Sequence, residues 1–309
     1  MKKKIALSLM ATALLLGSVV YAGEKPKVGI FISSLDTFLT TLADAAEARA
    51  KELDINLHLM ESQYDTVRQN DQVMTCISDG YDLLIINIVE STAAPVMIAA
   101  AAEAGIPIVF VNRNPFTTDD IPPNTYVVAP NSLREGAAGM EYAGELMGGK
   151  GNIVILQGTL GHEPARLRTE GVKMVLREKY PDIKVIAEET GDWFRDKGMS
   201  VMENLITAFG PQINAVLANN DEMALGAKLA LTANNMNDVI VVGVDGTSDA
   251  FASIALTNGI NGTAYQDGKA QGAGSVELAR KILDGEKVPP ITLLPVNMVT
   301  RENVKDFKP

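Results

Sequence analysis

Cysteine is almost absent from this 309-residue sequence, occurring once as Cys76, and histidine occurs only at positions 58 and 162. One thiol excludes an internal disulfide, and inside the apolar stretch around Val73, Met74 and Ile77 it reads as a small core residue. GHEPARLR (161–168) opens like a zinc-protease helix, yet Arg166 stands where the second histidine is required. Phosphate-binding and nucleophile motifs are missing as well: there is no GxGxxG after the first strand, no GxxxxGK[ST] and no GxSxG. MGGKGN (147–152) precedes a strand and reads as a helix stop. Neither a metal nor a cofactor is expected, and no residue is assigned a catalytic role. Basic residues are outnumbered, 27 to 38, which argues against nucleic acid or an anionic membrane surface as the partner.

Long apolar runs are confined to the N-terminus. Lys2, Lys3 and Lys4 precede an uncharged run from Ile5 to Val20, and the small residues Ala22 and Gly23 follow. That run is about 16 residues, short of the roughly 20 that a membrane span needs, and its flanks are those of a secretory signal over residues 1–22. No cysteine near the exit offers a lipid site, so the mature chain is expected free in the periplasm. Losing three lysines leaves 24 basic against 38 acidic residues, a balance near −14.

What remains is a regular alternation. Apolar runs at 28–33, 55–61, 82–88, 107–112, 125–129, 152–158, 183–188, 213–219 and 239–245 are predicted strands, with helical patterns between them. Nearly continuous apolar strands belong to sheets buried on both faces, and the alternation indicates parallel βαβ units. In residues 37–53, Phe38, Leu42, Ala45, Ala46 and Leu53 recur at helical spacing. Two successive series, each too short for a barrel, predict an α/β chain of two doubly wound parallel-sheet lobes.

Ligands of such sheets sit beyond the carboxyl ends of the strands, and those exits are polar here. The first gives Asp36 and Phe38; the fourth, Asn112 and Arg113; the sixth, His162, Arg166 and Arg168. Later exits give Asp192 and Trp193, then Asn219, Asn220 and Asp221, then Asp245, and finally Gln266 and Asp267. Carboxylates and amides beside arginines satisfy hydroxyls that both donate and accept, while an aromatic ring covers an apolar face. The set suits a small polyhydroxy ring, a sugar or a cyclitol. Competing readings stand beside it: Asp221 as a helix N-cap, Asp245 in a turn, Trp193 as a core plug and His58 on an edge strand. Arg166 and Arg168 fall in the opening turn of a helix whose first position suits Pro164, where the dipole disfavours cations.

NNDEMALGA (219–227), VVGVDGT (241–247), QNDQV (69–73) and GHEPARLRTEG (161–171) resemble, in order and spacing, the periplasmic sugar-binding proteins of the ribose and galactose/glucose type. The resemblance runs from about Lys27 to the C-terminus. It implies a type I periplasmic binding protein, with lobes joined by a three-stranded hinge and closing on ligand. The N-terminal lobe would be residues 23–130 plus 267–294, and the C-terminal lobe 131–266 plus 295–309. It implies ligand contacts at Phe38, Asn112, Arg113, Arg168, Trp193, Asn220, Asp245 and Gln266, with His162 matching the galactose/glucose branch. Asp36 and Phe38 lie in a loop one residue shorter than the family's, Pro164 replaces an acid of the galactose branch, and the calcium loop of that branch is lacking. VNRNP (111–115), HEPARLRT (162–169) and YQDGKAQGAG (265–274) resemble relatives that bind myo-inositol.

The expected partners are a sugar or cyclitol and an ABC permease of the inner membrane, with a chemoreceptor compatible and the chain a monomer. Three alternatives stand beside the cyclitol reading. The first is a galactose/glucose- or ribose-type binder with a chemotaxis role. The second is a periplasmic sugar-modifying enzyme, for which Glu163 and Asp36 could form an acid/base pair. The third is a sugar-responsive regulator, which would need an N-terminal helix-turn-helix where this chain has a signal.

Overall fold

The computed structural model describes residues 24–116 and 120–307; the signal segment expected at 1–22 lies outside them. Two series of βα units follow one another. The first is β1 (Lys27–Ile32), α1 (Thr37–Glu52), β2 (Asn56–Glu61), α2 (Thr66–Ser78), β3 (Leu83–Ile86), α3 (Ala94–Ala104), β4 (Ile108–Val111) and β5 (Thr125–Pro130). The second is α4 (Ser132–Leu146), β6 (Gly151–Gln157), α5 (Glu163–Glu178), β7 (Ile183–Thr190), α6 (Arg195–Phe209), β8 (Ala215–Ala218), α7 (Asp221–Ala233), β9 (Ile240–Asp245), α8 (Ser248–Ala255) and β10 (Gly262–Tyr265). Helix α9 (Gly268–Leu283) and strands β11 (Ile291–Leu294) and β12 (Asn297–Thr300) complete the chain.

Each series contributes five strands to one six-stranded sheet, and β11 and β12 supply the sixth of each. The orders, β2-β1-β3-β4-β5-β11 and β7-β6-β8-β9-β10-β12, are the same pattern used twice. All neighbours pair in parallel except β12, which runs antiparallel to β10. The two-residue period of a strand sends Val28, Ile30 and Ile32 of β1 to one face and Phe31 to the other, and all four are fully buried. Helices α1 and α9 cover the first face and α2 and α3 the second, which is why these strands read as continuous apolar runs.

In each sheet the order reverses beside its first strand, between β1 and β3 and between β6 and β8, so crevices open there at the carboxyl ends. The chain passes between the sheets from β5 to α4, from β10 to α9 and from β11 to β12. Asn131 and Asp267, at the first two passages, cap α4 and α9 by accepting from Arg134 N and Ala270 N, which anchors each passage to the helix it feeds.

Candidate functional site

The two crevices face each other across a cavity that is partly open to solvent. The first sheet supplies Asp36, Phe38, Tyr64, Asn112 and Arg113; the second supplies Arg168, Trp193, Asn220, Asp245 and Thr247; Gln266 lies at a passage between them. Nine of the eleven residues expected from sequence thus border one space.

On the first side, Asp36 caps α1. Its Oδ1 accepts from Leu39 N at 2.8 Å and its Oδ2 from the Tyr64 hydroxyl at 3.1 Å. Burial raises its pKa against the pull of those bonds and of Arg113. Arg113 donates from Nη1 to the carbonyls of Ile88 and Val89, at 2.8 and 3.2 Å. Its buried Nε has no partner among the described residues, and burial lowers its pKa. Asn112, at φ +66, donates to Gln266 Oε1 at 3.2 Å and to Gln271 Oε1 at 2.9 Å, and accepts from Asn87 at 3.2 Å.

On the second side, Arg168 donates from Nε to Glu135 at 2.7 Å and from Nη1 to the Asn219 carbonyl at 2.7 Å, and lies 3.6 Å from Asp245. Burial opposes its charge, yet Glu135 and Asp245 carry its pKa above the usual value. Asp245 accepts from Gln266 Nε2 at 2.6 Å. Burial holds its carboxyl well above the normal range in spite of Arg168, with Asp221 adding to the rise. Amides, carboxylates and guanidinium thus form a series from Asn87 in one lobe to Glu135 in the other, hydrogen-bonded throughout except at the 3.6 Å approach of Arg168 to Asp245.

The aromatic cover is a stack. Trp193 lies parallel to His162 at 6.1 Å, and His162 lies against Tyr64 at 6.0 Å, so the stack spans both lobes. The indole N–H donates to His162 Nδ1 at 3.0 Å. Burial and nearby Arg113 push the imidazole down to about 3, so the ring is neutral with its proton on Nε2. Gly158 is required beneath this stack, since a Cβ there would stand 2.1 Å from the indole. Trp193, Tyr64, Asn112 and Asp245 all have positive φ, a backbone cost that clusters at ligand sites.

Five expectations are corrected. Arg166 is exposed and does not border the cavity, because two residues along a helix turn the side chain away from the direction of Arg168. His162 stands behind Trp193, as its support, and is not part of the cavity wall. Helix α5 begins at Glu163 with Pro164 second, so Arg168 lies in the second turn, where Glu135 meets its charge. The cap of α7 is Asn220, whose Oδ1 accepts from Met223 N at 3.0 Å and whose Nδ2 donates to the Trp193 carbonyl at 3.1 Å. Asp221 next to it accepts from the backbone N–H groups of Gly246 and Thr247, at 2.7 and 2.9 Å, and shapes the loop after β9. Glu163 accepts from the Ser132 hydroxyl at 3.2 Å and does not border the cavity with Asp36.

Sequence reasoning missed Tyr64, which looked like an ordinary loop residue, and Glu135, inside a helix with no motif. The only signal for Tyr64 was its place at a strand exit, after β2.

Comparison with known proteins is consistent across sequence and structure. Residues 28–287 match the model of a family described as a periplasmic binding protein domain. A putative rhizopine-binding protein of Rhizobium meliloti is 34% identical, over 99% of both chains. A xylitol-binding protein of Mycolicibacterium smegmatis is 34% identical, over 97% of this chain and 84% of that protein. Among solved structures, an ABC transporter solute-binding protein from Bacillus halodurans with bound myo-inositol has a TM-score of 0.86 and 38% identity, covering 91% of this chain and 96% of that one.

Proposed function

We propose, from the premise that this chain belongs to the periplasmic binding protein family, that its interlobe cavity takes a small cyclic polyol, with myo-inositol favoured, and delivers it to an ABC permease. The family is one of solute-binding proteins, and the chain is a sugar- or polyol-binding protein and not an enzyme. The carrying observation is that Arg113 and Asp36 from one lobe and Arg168 and Asp245 from the other converge on one cavity beside an indole and a phenyl ring. Arg113 Nε, buried without an acceptor among the described residues, matches a ligand rich in oxygen.

In this reading the carboxylates and amides accept from ring hydroxyls, the arginines donate to them, and Trp193 and Phe38 cover the apolar faces. Each charged hydrogen bond contributes roughly 1.5–3 kcal/mol, so a few reach micromolar affinity, about −8 kcal/mol. A ligand gripped from both sides favours the closed arrangement by its differential affinity for that form. The likeness to the inositol-bound solute-binding protein, and the NR pair at Asn112 and Arg113, support the cyclitol over an aldose. Secretion to the periplasm as a free protein belongs to the same proposal.

The test is calorimetry on the mature protein with myo-inositol, xylitol, ribose and galactose. Binding of myo-inositol tighter than the others is expected; tighter binding of an aldose would overturn the cyclitol preference, and no binding of any would overturn the reading.

A further inference from the structure

We infer that Glu135 is a positioning residue for ligand binding: from outside the cavity, its carboxylate fixes the direction in which Arg168 presents its guanidinium to the ligand. The inference rests on the reading of the cavity as a polyol site, and it names a residue outside the cavity lining.

Glu135 lies in the first turn of α4, fully buried, and its Oε2 accepts from Arg168 Nε. A guanidinium is planar, with its five N–H donors in a fixed fork. With Nε tied to Glu135 and Nη1 to the Asn219 carbonyl, the plane has no rotation left. Arg168 borders the cavity, and the same Nη1 lies 3.6 Å from Asp245. Without Glu135, the guanidinium would keep the Asn219 carbonyl and the looser approach to Asp245, both at Nη1, and could pivot about that atom.

The pair is a costly way to hold two helices together. Burial raises the Glu135 carboxyl even though Arg168 lowers it, and its Oε1 has no hydrogen-bond partner among the described residues. An apolar pair of similar volume would serve packing as well or better. What the ion pair adds is direction.

The direction is also independent of lobe closure. Helices α4 and α5 touch so closely that a Cβ at Gly136 would stand 1.8 Å from the Arg168 carbonyl. Glu135 and Arg168 therefore ride on one rigid helix pair on one side of the cleft. Arg168 is held ready before the ligand arrives, which lowers the ordering cost of binding.

The substitution Glu135→Gln keeps shape and an acceptor oxygen while removing the charge. Two measurements test the proposal together. In ligand-free wild type, ¹⁵N NMR should show an ordered Arg168 Nε–H resonance, assigned by its loss in Arg168→Lys, and Glu135→Gln should shift and broaden it. Calorimetry with myo-inositol as probe should give a Kd at least about tenfold weaker for Glu135→Gln, measured well below the melting temperature of the variant. An averaged, mobile Nε–H in ligand-free wild type would overturn the proposal, and so would a Kd within roughly twofold of wild type. If wild type binds no polyol, the cavity reading fails while the Nε–H resonance still judges the positioning. If Glu135→Gln does not fold, Glu135→Asp, whose shorter arm cannot reach, is read by the same resonance.

Discussion

At the residue scale, the cavity collects groups whose protonation and backbone geometry are unfavourable elsewhere. Asp245 combines a positive φ with a buried carboxylate beside Arg168. Replacing it by Asn keeps the bond from Gln266 within reach but removes the charge facing the guanidinium, so affinity should fall roughly tenfold or more by calorimetry. Trp193 is the sole tryptophan, and its emission should change on titration with ligand; a flat signal at saturation would remove it from the wall. Glu163 supplies the pH term. Burial, with Glu135 adding, raises its carboxyl from 4.5 to about 7. The folded protein therefore holds a proton that the unfolded chain has released over that range. Its contribution to stability is complete below about 4.5 and is lost as pH rises towards about 7. Melting temperature measured from pH 5 to 8 should decline less steeply in Glu163→Gln than in wild type.

At the scale of elements, function depends on how closely helices approach. Gly136 and Gly171 let α4 and α5 meet backbone to backbone, and a Cβ at either would lie 1.8 or 2.1 Å from a facing carbonyl. Gly136→Ala should cost about 1–3 kcal/mol of stability, read as a lower denaturation midpoint, and should weaken binding through the displaced Arg168. Most of the first nine strands were legible because both faces of their sheet are covered, so the apolar runs are unbroken; β2 and β7, half-buried at the sheet edges, kept enough apolar residues to be read. Strands β10, β11 and β12 were not. Gly262–Tyr265 and Ile291–Leu294 are four residues each, half-buried at sheet margins or short of apolar residues, and too brief to show a period.

At the scale of the whole molecule, a ligand held by both lobes is expected to stabilise them as a unit. At a concentration of about 100 times Kd, the folded state gains roughly 2.7 kcal/mol, several degrees in melting temperature for a chain of this size. Scanning calorimetry with myo-inositol should show that rise, while Asp245→Asn at the same ligand concentration should show less. The order of apolar runs and helical periods determined the fold class, because a strand buried on both faces must be continuously apolar wherever its neighbours come from. Polarity at the strand exits likewise marked most of the cavity, since carboxyl ends of parallel strands are fixed in place by the topology. Only the tertiary structure decided which face of α5 turns inward, separating Arg168 from Arg166, and which residues stand one layer back. His162 behind the indole and Glu135 behind the guanidinium are joined to their partners across 31 and 33 residues of sequence. Contacts of that separation leave no periodic trace in the chain, because they are set by how the helices pack and not by the spacing along any one of them.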